Sequence, residues 1–473
     1  MKKTKIVCTM GPNTNDPKVM RALAENGMNV ARFNFSHGDH EEQLERVEIL
    51  RNVRKETGIP VAALLDTKGP EIRTGALKGG NKVTLEAGNK YTLTVNEVEG
   101  DETISYINYP TLLQDVKVGS RILIDDGLIE LEVCAMGEDS VECTILNGGE
   151  LGSKKGVNIP NIKSNLPALT EKDRNDILFA IEQDFDFIAA SFVRNAAGVL
   201  AIREILDAHN SKIKIISKIE NAEGVENLDE IIAVSDGLMV ARGDLGVEIP
   251  AELVPLMQKT MIKKCNAAGK PVITATQMLD SMMRNPRPTR AEVTDIANAI
   301  YDGTDAIMLS GETAMGKYPI EAVTVMRKVA NVTEADLDYT VDVTKHPEFA
   351  KNTADAVSLS SVATANNIGA KAIIAPTLTG FTAERLSNWR PGVPVIAVCP
   401  NENVVRQMEL NWGVVPVTCE EGLSTEELIA KGVEFAKANG VVASGDTVVV
   451  TSGVPTVAGQ RAETNNMRVI TVE

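Results

Sequence analysis

Lys218 and Glu220 stand two residues apart at the end of the apolar run KIKIISKIE, and Arg242 and Asp244 stand two apart at the end of the next run, DGLMVARGD. Strand side chains alternate between faces, so Lys218 and Glu220 point the same way and Ile219 the other. One strand-and-helix unit separates the two runs, which makes their ends neighbours in a parallel sheet. Glu220 and Asp244 brought together repel each other unless a cation lies between them, and an all-oxygen set suits Mg²⁺ or Mn²⁺. Solvated acids paired with Lys218 and Arg242 fit the same pattern.

Other apolar runs end in the same way. ARFNFSHG puts Arg32, Asn34 and Ser36 on one face and Phe33 and Phe35 on the other. The planar fork of Arg32 suits an anionic group, or else an internal pair with Asp66. LLDTKGPEIRTG carries Asp66, Thr67 and Arg73; Asp66 with Asn34 and Ser36 offers hard oxygens to a loosely coordinated cation, or a structural network. TATQM places Thr276 near Asp244 and Glu220, and LSGETA places Glu312 as a supporting acid or a helix-start charge. Lys154 and Lys155 in GSKKGVN form a basic tip, a solvated turn unless it faces a polyanion. His37 and His40 read as surface or helix-start residues. Arg32, Arg73, Lys218 and Arg242 around an acid pair match what phosphoryl transfer needs, namely cations on the moving group and in-line positioning. Neither GxxxxGK[ST] nor GxGxxG occurs.

These residues need a frame that brings strand ends together. Strands are predicted at 5–9, 30–35 and 61–66, then at 187–192, 214–220, 237–242, 271–277 and 306–310, with helices at 17–26 and 40–56 among them. Eight such units close a (β/α)₈ TIM barrel, whose active sites lie at the C-terminal ends of the strands; an open doubly wound sheet is the alternative. The stretch 69–165 alternates with period two and is broken by Gly and Asn, an antiparallel β unit with no helix. The expected domains are therefore 1–68 and 166–340 for the barrel, 69–165 for an inserted β lid, and 341–473 for a C-terminal α/β domain. The last has helices at 353–367, 383–389 and 425–439 and strands at 372–376, 395–399, 414–418, 447–451 and 468–472. The polar segment 333–351 connects it to the barrel.

The 473 residues support a large core, and a net charge of −17 argues against nucleic acid or anionic membrane as a partner. Six scattered cysteines without CxxC and only four histidines suggest neither a disulfide framework nor a zinc site. The start MKKTKIVCTMGPN is too short in apolar residues for a signal peptide, and no run is long enough to span a membrane. A cytoplasmic setting follows.

KIVCTMGPNT, RFNFSHG, LLDTKGPEIRTG, GSKKGVNIP, KIISKIENAEG, DGLMVARGDLGVEIP and the run from ATQMLDSMMRNP to IMLSGETA together resemble the pyruvate kinase family. The resemblance implies phosphoryl transfer from phosphoenolpyruvate to ADP, giving pyruvate and ATP. It implies that Arg32 contacts the transferring phosphate, that Lys218 stabilises its charge, and that Glu220 and Asp244 hold Mg²⁺ or Mn²⁺. Asn34, Ser36, Asp66 and Thr67 match the family's K⁺ ligands, and Glu71 the version associated with K⁺ dependence. Gly243, Asp244 and Thr276 would orient the substrate carboxylate, with Thr276 on the face where enolpyruvate is protonated, the proton arriving by a water relay. Arg73 and Lys155 would contact nucleotide phosphate, Lys155 on lid closure.

In the last domain Thr377, Thr379, Gly380 and Thr382 precede a helix start, a phosphate cradle or an ordinary cap. Family members bind a phosphorylated effector there. The loop 454–466 differs from the glycine-rich loops associated with fructose-1,6-bisphosphate, and with the sequence running to Glu473 the further C-terminal domain of some bacterial members is not expected. A homotetramer is expected. Two rivals are set beside this reading: a metal-dependent lyase acting on pyruvate or phosphoenolpyruvate, and an inactive barrel kept as a metabolite sensor.

Overall fold

The computed structural model describes residues 1–160, 162, 165–341, 352–453 and 463–473. Eight parallel strands close into a barrel: Lys5–Met10, Val30–Asn34, Ala62–Asp66, Phe187–Ala190, Lys214–Ile219, Gly237–Ala241, Val272–Ala275 and Ala306–Leu309. They are the eight expected strands, mostly one or two residues shorter at the C-terminal end, where the chain leaves the ladder for loops. The strands are buried on both faces, which is why they read as continuous apolar runs.

Strand parity decides what the barrel contains. Val7, Val30, Ala62, Leu64, Ile216, Met239 and Ile273 pack inside it. Cys8, Ala31, Phe33, Leu65, Ile219 and Val240 face the surrounding helices. Continuing the inward positions toward the C-terminal ends reaches Thr9, Arg32, Asp66, Ser191, Lys218 and Glu220. The lower layers are thus aliphatic and the top layer is polar.

The inserted unit leaves the barrel after the third strand and returns before helix Glu171–Glu182. Its six-stranded sheet and a two-stranded ribbon enclose a separate core that includes Tyr91, Leu93, Ile122 and Leu131. Two features depart from the expected antiparallel, helix-free pattern. Lys90–Thr94 and Ile104–Tyr106 pair in parallel, and Leu112–Asp115 forms one helical turn. A parallel pair needs a crossover rather than a hairpin, so local turn signals do not report it. Four residues are too few to show helical periodicity.

The C-terminal unit is a five-stranded sheet in the order Val414–Thr418, Val395–Cys399, Ile373–Pro376, Thr447–Ser452, Asn466–Thr471, with only the last strand antiparallel. Helices Thr353–Ile368, Phe381–Asn388 and Thr425–Ala438 cover it as expected. Helix Glu402–Gln407 was not expected; Asn401 caps it, and six residues give no periodic signal. That helix docks the unit onto the barrel, because Arg406 reaches Asp184 at 2.7 Å and Asp186 at 2.8 Å, just before the fourth strand. Leu410 extends this contact into the barrel's inner core. The unit therefore closes the N-terminal end of the barrel and leaves the C-terminal mouth to the inserted unit.

Candidate active site

At the mouth, three acceptors surround the Lys218 ammonium: Ser191 Oγ at 2.8 Å, Asp66 Oδ1 at 2.9 Å and Glu220 Oε1 at 3.0 Å. The other Asp66 oxygen takes Arg32 Nε at 2.6 Å, and Arg32 also donates to Thr9 Oγ1 at 2.9 Å. The internal Arg32–Asp66 pair weighed from the sequence is therefore present. Asp66 and Glu220 are buried, and the two cations nearly so. A neutral residue at either end would strand a desolvated charge.

Asp66, Lys218, Glu220 and Asp244 titrate away from their ordinary values. Burial works against the Asp66 carboxylate, but Arg32 and Lys218 overcome it and hold the pKa down. Burial also opposes the Lys218 charge, yet Asp66 and Glu220 together raise its pKa. Glu220 goes the other way: burial, with Asp244 and Asp66 adding to it, outweighs Lys218 and pushes the pKa up to about 7. Lys218 leans on Asp66, so Glu220 is left under-compensated beside Asp244. Asp244 is raised as well, by burial first and then by Asp126 and Glu71.

Backbone geometry sets the edges of this ring. Glu220 Oε2 accepts the Phe192 amide at 2.6 Å, and Phe192 has a left-handed φ of 53°. Thr276 and Gln277 are also left-handed, at 68° and 54°, a costly state for a β-branched residue. Thr276 Oγ1 accepts the Gly243 amide at 2.8 Å. The expected place of Arg242 among the site cations is corrected here. The strand ends at Ala241, Arg242 opens helix Arg242–Glu248, and its guanidinium turns to the Ala275 and Thr276 carbonyls and Asp295. It holds the strained turn that presents Thr276. Glu312 does similar work, taking the Leu279 and Ser310 amides.

Asn34 and Asp66 are partners in register on adjacent strands, and Thr67 follows directly. Asn34 Oδ1 accepts the Ser36 amide at 3.0 Å, and Thr67 Oγ1 accepts the Ser191 amide at 3.1 Å. Above the ring, a cleft of about 440 Å³ separates barrel and lid; Glu71, Arg73, Asp125, Asp126, Lys155 and Asp244 line it. Arg73 is paired with Glu71 at 2.8 Å and Lys155 with Asp125 at 2.9 Å. Lys154, left-handed at φ 57°, is the turn residue of the basic tip.

His40 opens its helix as expected and bonds Asp176 at 2.8 Å. Thr377, Thr379, Gly380 and Thr382 lie in the C-terminal unit at the start of helix Phe381–Asn388. Gly380 has φ 82° and donates to Thr377 Oγ1 at 3.0 Å. Thr379 is exposed, while Thr382 is buried and bonded to Thr464 at 2.8 Å. Most of the loop 454–466 lies outside the described residues.

Ser191, Thr9 and Asp126 were not anticipated. The first two continue the inward parity of their strands, Ser191 two residues beyond Ala189 and Thr9 two beyond Val7, and that rule alone would have found them. Asp126 has no such signal, because only the fold of the lid brings it over Asp244.

Comparison with known proteins bears on this geometry. The family model for the pyruvate kinase barrel domain matches residues 1–323, and that for the pyruvate kinase alpha/beta domain matches 355–470. A pyruvate kinase from Geobacillus stearothermophilus is 54% identical over 472 residues, 99% of this chain and 80% of that protein. One from Clostridium acetobutylicum is 52% identical over the full length of both. A crystal structure of a pyruvate kinase from Cryptosporidium parvum superposes with a TM-score of 0.94 at 42% identity, covering 100% of this chain and 96% of that one.

Proposed function

The chain belongs to the pyruvate kinase family, and from that premise we propose how its barrel mouth moves the phosphoryl group of phosphoenolpyruvate to ADP, giving pyruvate and ATP in glycolysis. The family replaces the lyase and sensor readings. The observation that carries the proposal is the buried ammonium of Lys218 set among Asp66, Ser191 and Glu220, with Arg32 beside it. A phosphoryl group in transfer carries charge on its equatorial oxygens, and Lys218 and Arg32 offer fixed donors that need no reorganisation.

Pyruvate kinases use a divalent cation and K⁺. Glu220 and Asp244 would hold the divalent ion: their raised pKa values report two buried carboxylates short of positive charge. No group of three His, Cys, Asp or Glu residues is placed for a metal among the described residues. A two-carboxylate site suits an ion that takes its remaining ligands from substrate and water. When bound, the ion supplies Lewis-acid stabilisation of the enolate oxygen. Asn34, Ser36, Asp66 and Thr67 offer one charge and several neutral oxygens on adjacent strand ends, a set that suits a large monovalent cation such as K⁺.

Gly243, Asp244 and Thr276 orient the substrate carboxylate, and Thr276 faces the carbon that is protonated after transfer. Arg73 and Lys155 grip nucleotide phosphate as the lid closes and excludes water that would otherwise accept the phosphoryl group. A coupled assay with phosphoenolpyruvate and ADP, with Mg²⁺ and K⁺ each present or withheld, tests the whole; ATP formation that ignores both ions would overturn the cation assignments.

The cradle at Thr377, Thr379, Gly380 and Thr382 takes a phosphorylated effector, supported by the left-handed Gly380 and by a helix start that has no side-chain cap among the described residues. The chain assembles as a cytoplasmic homotetramer. Exposed Tyr301 and Val332 beside an apolar groove, and Met467 and Val469 on an edge strand, support assembly. No helix among the described residues is long and apolar enough to cross a membrane.

A further inference from the structure

We infer that Asp173 is a positioning residue for this reaction: its one carboxylate gathers both chain crossings that carry the lid and fixes the lid's rest position over the mouth. The inference rests on the reading of the inserted unit as a nucleotide-gripping lid. Asp173 is fully buried. Oδ1 accepts the amide of Gly69, where the chain leaves the barrel, at 2.9 Å. Oδ2 accepts the amide and hydroxyl of Thr170, where it returns, at 2.9 and 2.6 Å. On the lid side the same two crossings pair again, Thr74 N with Lys155 O and Val157 N with Ile72 O, both at 2.8 Å. The connectors are therefore tied to each other at the lid and to one side chain at the barrel.

An ordinary helix cap does not account for this. Asp173 is the third residue of helix Glu171–Glu182, and the reciprocal bonds with Thr170 are a capping box. The box uses Oδ2 only and leaves the bond to Gly69 unexplained. Gly69, at the exit crossing, is also packed directly against the catalytic ring. Its φ is +71°, and a Cβ there would lie 2.9 Å from both Ser191 Cβ and Phe192 Cδ2. Ser191 is a Lys218 acceptor and Phe192 is the Glu220 donor. Beneath this crossing, Thr67, Gly69, Leu169, Asp173, Ser191 and Phe192 border a cavity of about 260 Å³, which gives the Gly69 peptide room to shift. All three groups facing Asp173 are donors, so an amide of the same shape would set a fourth donor against them.

Asp173→Asn should raise KM for ADP at least fivefold while KM for phosphoenolpyruvate changes less than twofold, because only the nucleotide is gripped from the lid. Hydrogen exchange should accelerate in peptides covering 66–72 and 155–160 as well as 168–174. Asp173→Glu, which keeps two acceptors, should restore part of the ADP affinity. Equal changes in both KM values, or exchange altered in 168–174 alone, would reduce Asp173 to a cap and overturn the inference. Should the Asn variant fail to fold, wild-type exchange decides: the 66–72 and 168–174 peptides must change protection together as ADP is titrated, and independent responses refute the shared clasp. If wild-type lid protection ignores ADP altogether, the lid reading itself has failed, a result distinct from a responding lid that the variant leaves unmoved.

Discussion

The Lys218 ammonium lies 2.9 Å from Asp66 Oδ1, in a site where both are almost wholly removed from water. Asp66 also holds Arg32, so one carboxylate aims both cations of the mouth. Asp66→Asn should therefore cost more than one lost ion pair. A fall in kcat of about 10³-fold is expected, corresponding to roughly 4 kcal/mol, with the fold retained. Circular dichroism and steady-state kinetics check it, and a loss below tenfold would show that Asp66 does not organise the site.

Lys218→Met should lower ATP formation by orders of magnitude while KM for phosphoenolpyruvate stays within a few fold, since the charge matters chiefly as the phosphoryl group moves. Near-normal turnover removes Lys218 from the mechanism.

The raised pKa of Glu220, about 7, sets a pH dependence for the divalent ion. Below pH 7 the carboxyl of the ion-free protein holds a proton that binding must release. Apparent Mn²⁺ affinity should thus fall about tenfold per pH unit below 7 and level off above it. Glu220→Gln should abolish the slope along with most of the affinity, and Asp244→Asn should weaken binding. Calorimetric titration in two buffers of different ionisation enthalpy reads the proton directly; affinity constant between pH 6 and 8 would refute the assignment.

Arg406 joins the C-terminal unit to the barrel through Asp186, which is buried and has its pKa raised by that burial despite Arg406 and Arg54. Arg406→Ala leaves Asp186 with less compensation and should cost about 3 kcal/mol at neutral pH. Because the folded chain then protonates Asp186 more readily than the unfolded chain, the deficit should shrink as pH falls toward the ordinary carboxylate range. Thermal melts across pH 5 to 8 test both size and direction.

The proposed effector cradle opens the helix whose Glu384 pairs with Lys214, the first residue of the strand that leads to Lys218 and Glu220. Changing Thr382 to Trp should abolish the response to sugar phosphates or nucleoside monophosphates and spare basal activity. Glu384→Gln should leave effector binding intact but blunt its effect on KM for phosphoenolpyruvate. A screen in which no phosphorylated effector alters wild-type kinetics ends the cradle proposal.

The alternation of apolar and polar residues was enough to place eight strands and to put Arg32, Asp66, Lys218 and Glu220 inside one barrel, because a buried strand can present a charge only where it reaches its end. Applied without exception, the same parity would have included Thr9 and Ser191. It would also have left out Arg242, two residues beyond the helix-facing Val240, where the ladder stops one residue early and a helix turns the guanidinium away from the mouth toward Asp295. Helix Glu402–Gln407 was illegible for a different reason: it is shorter than two turns and is stabilised by docking on Asp184 and Asp186, far away in the chain.

Residue types and spacing, then, determined the barrel, the chemistry at its mouth and the family, since all three follow from periodicity and from motifs contiguous in the chain. Tertiary structure alone decided which acceptors share the Lys218 ammonium, why Glu220 and not Asp66 titrates near neutrality, and how Asp173 ties Gly69 to Thr170. Those depend on distances between segments remote in the chain and on how completely water is excluded from them, and neither quantity is written in any local pattern.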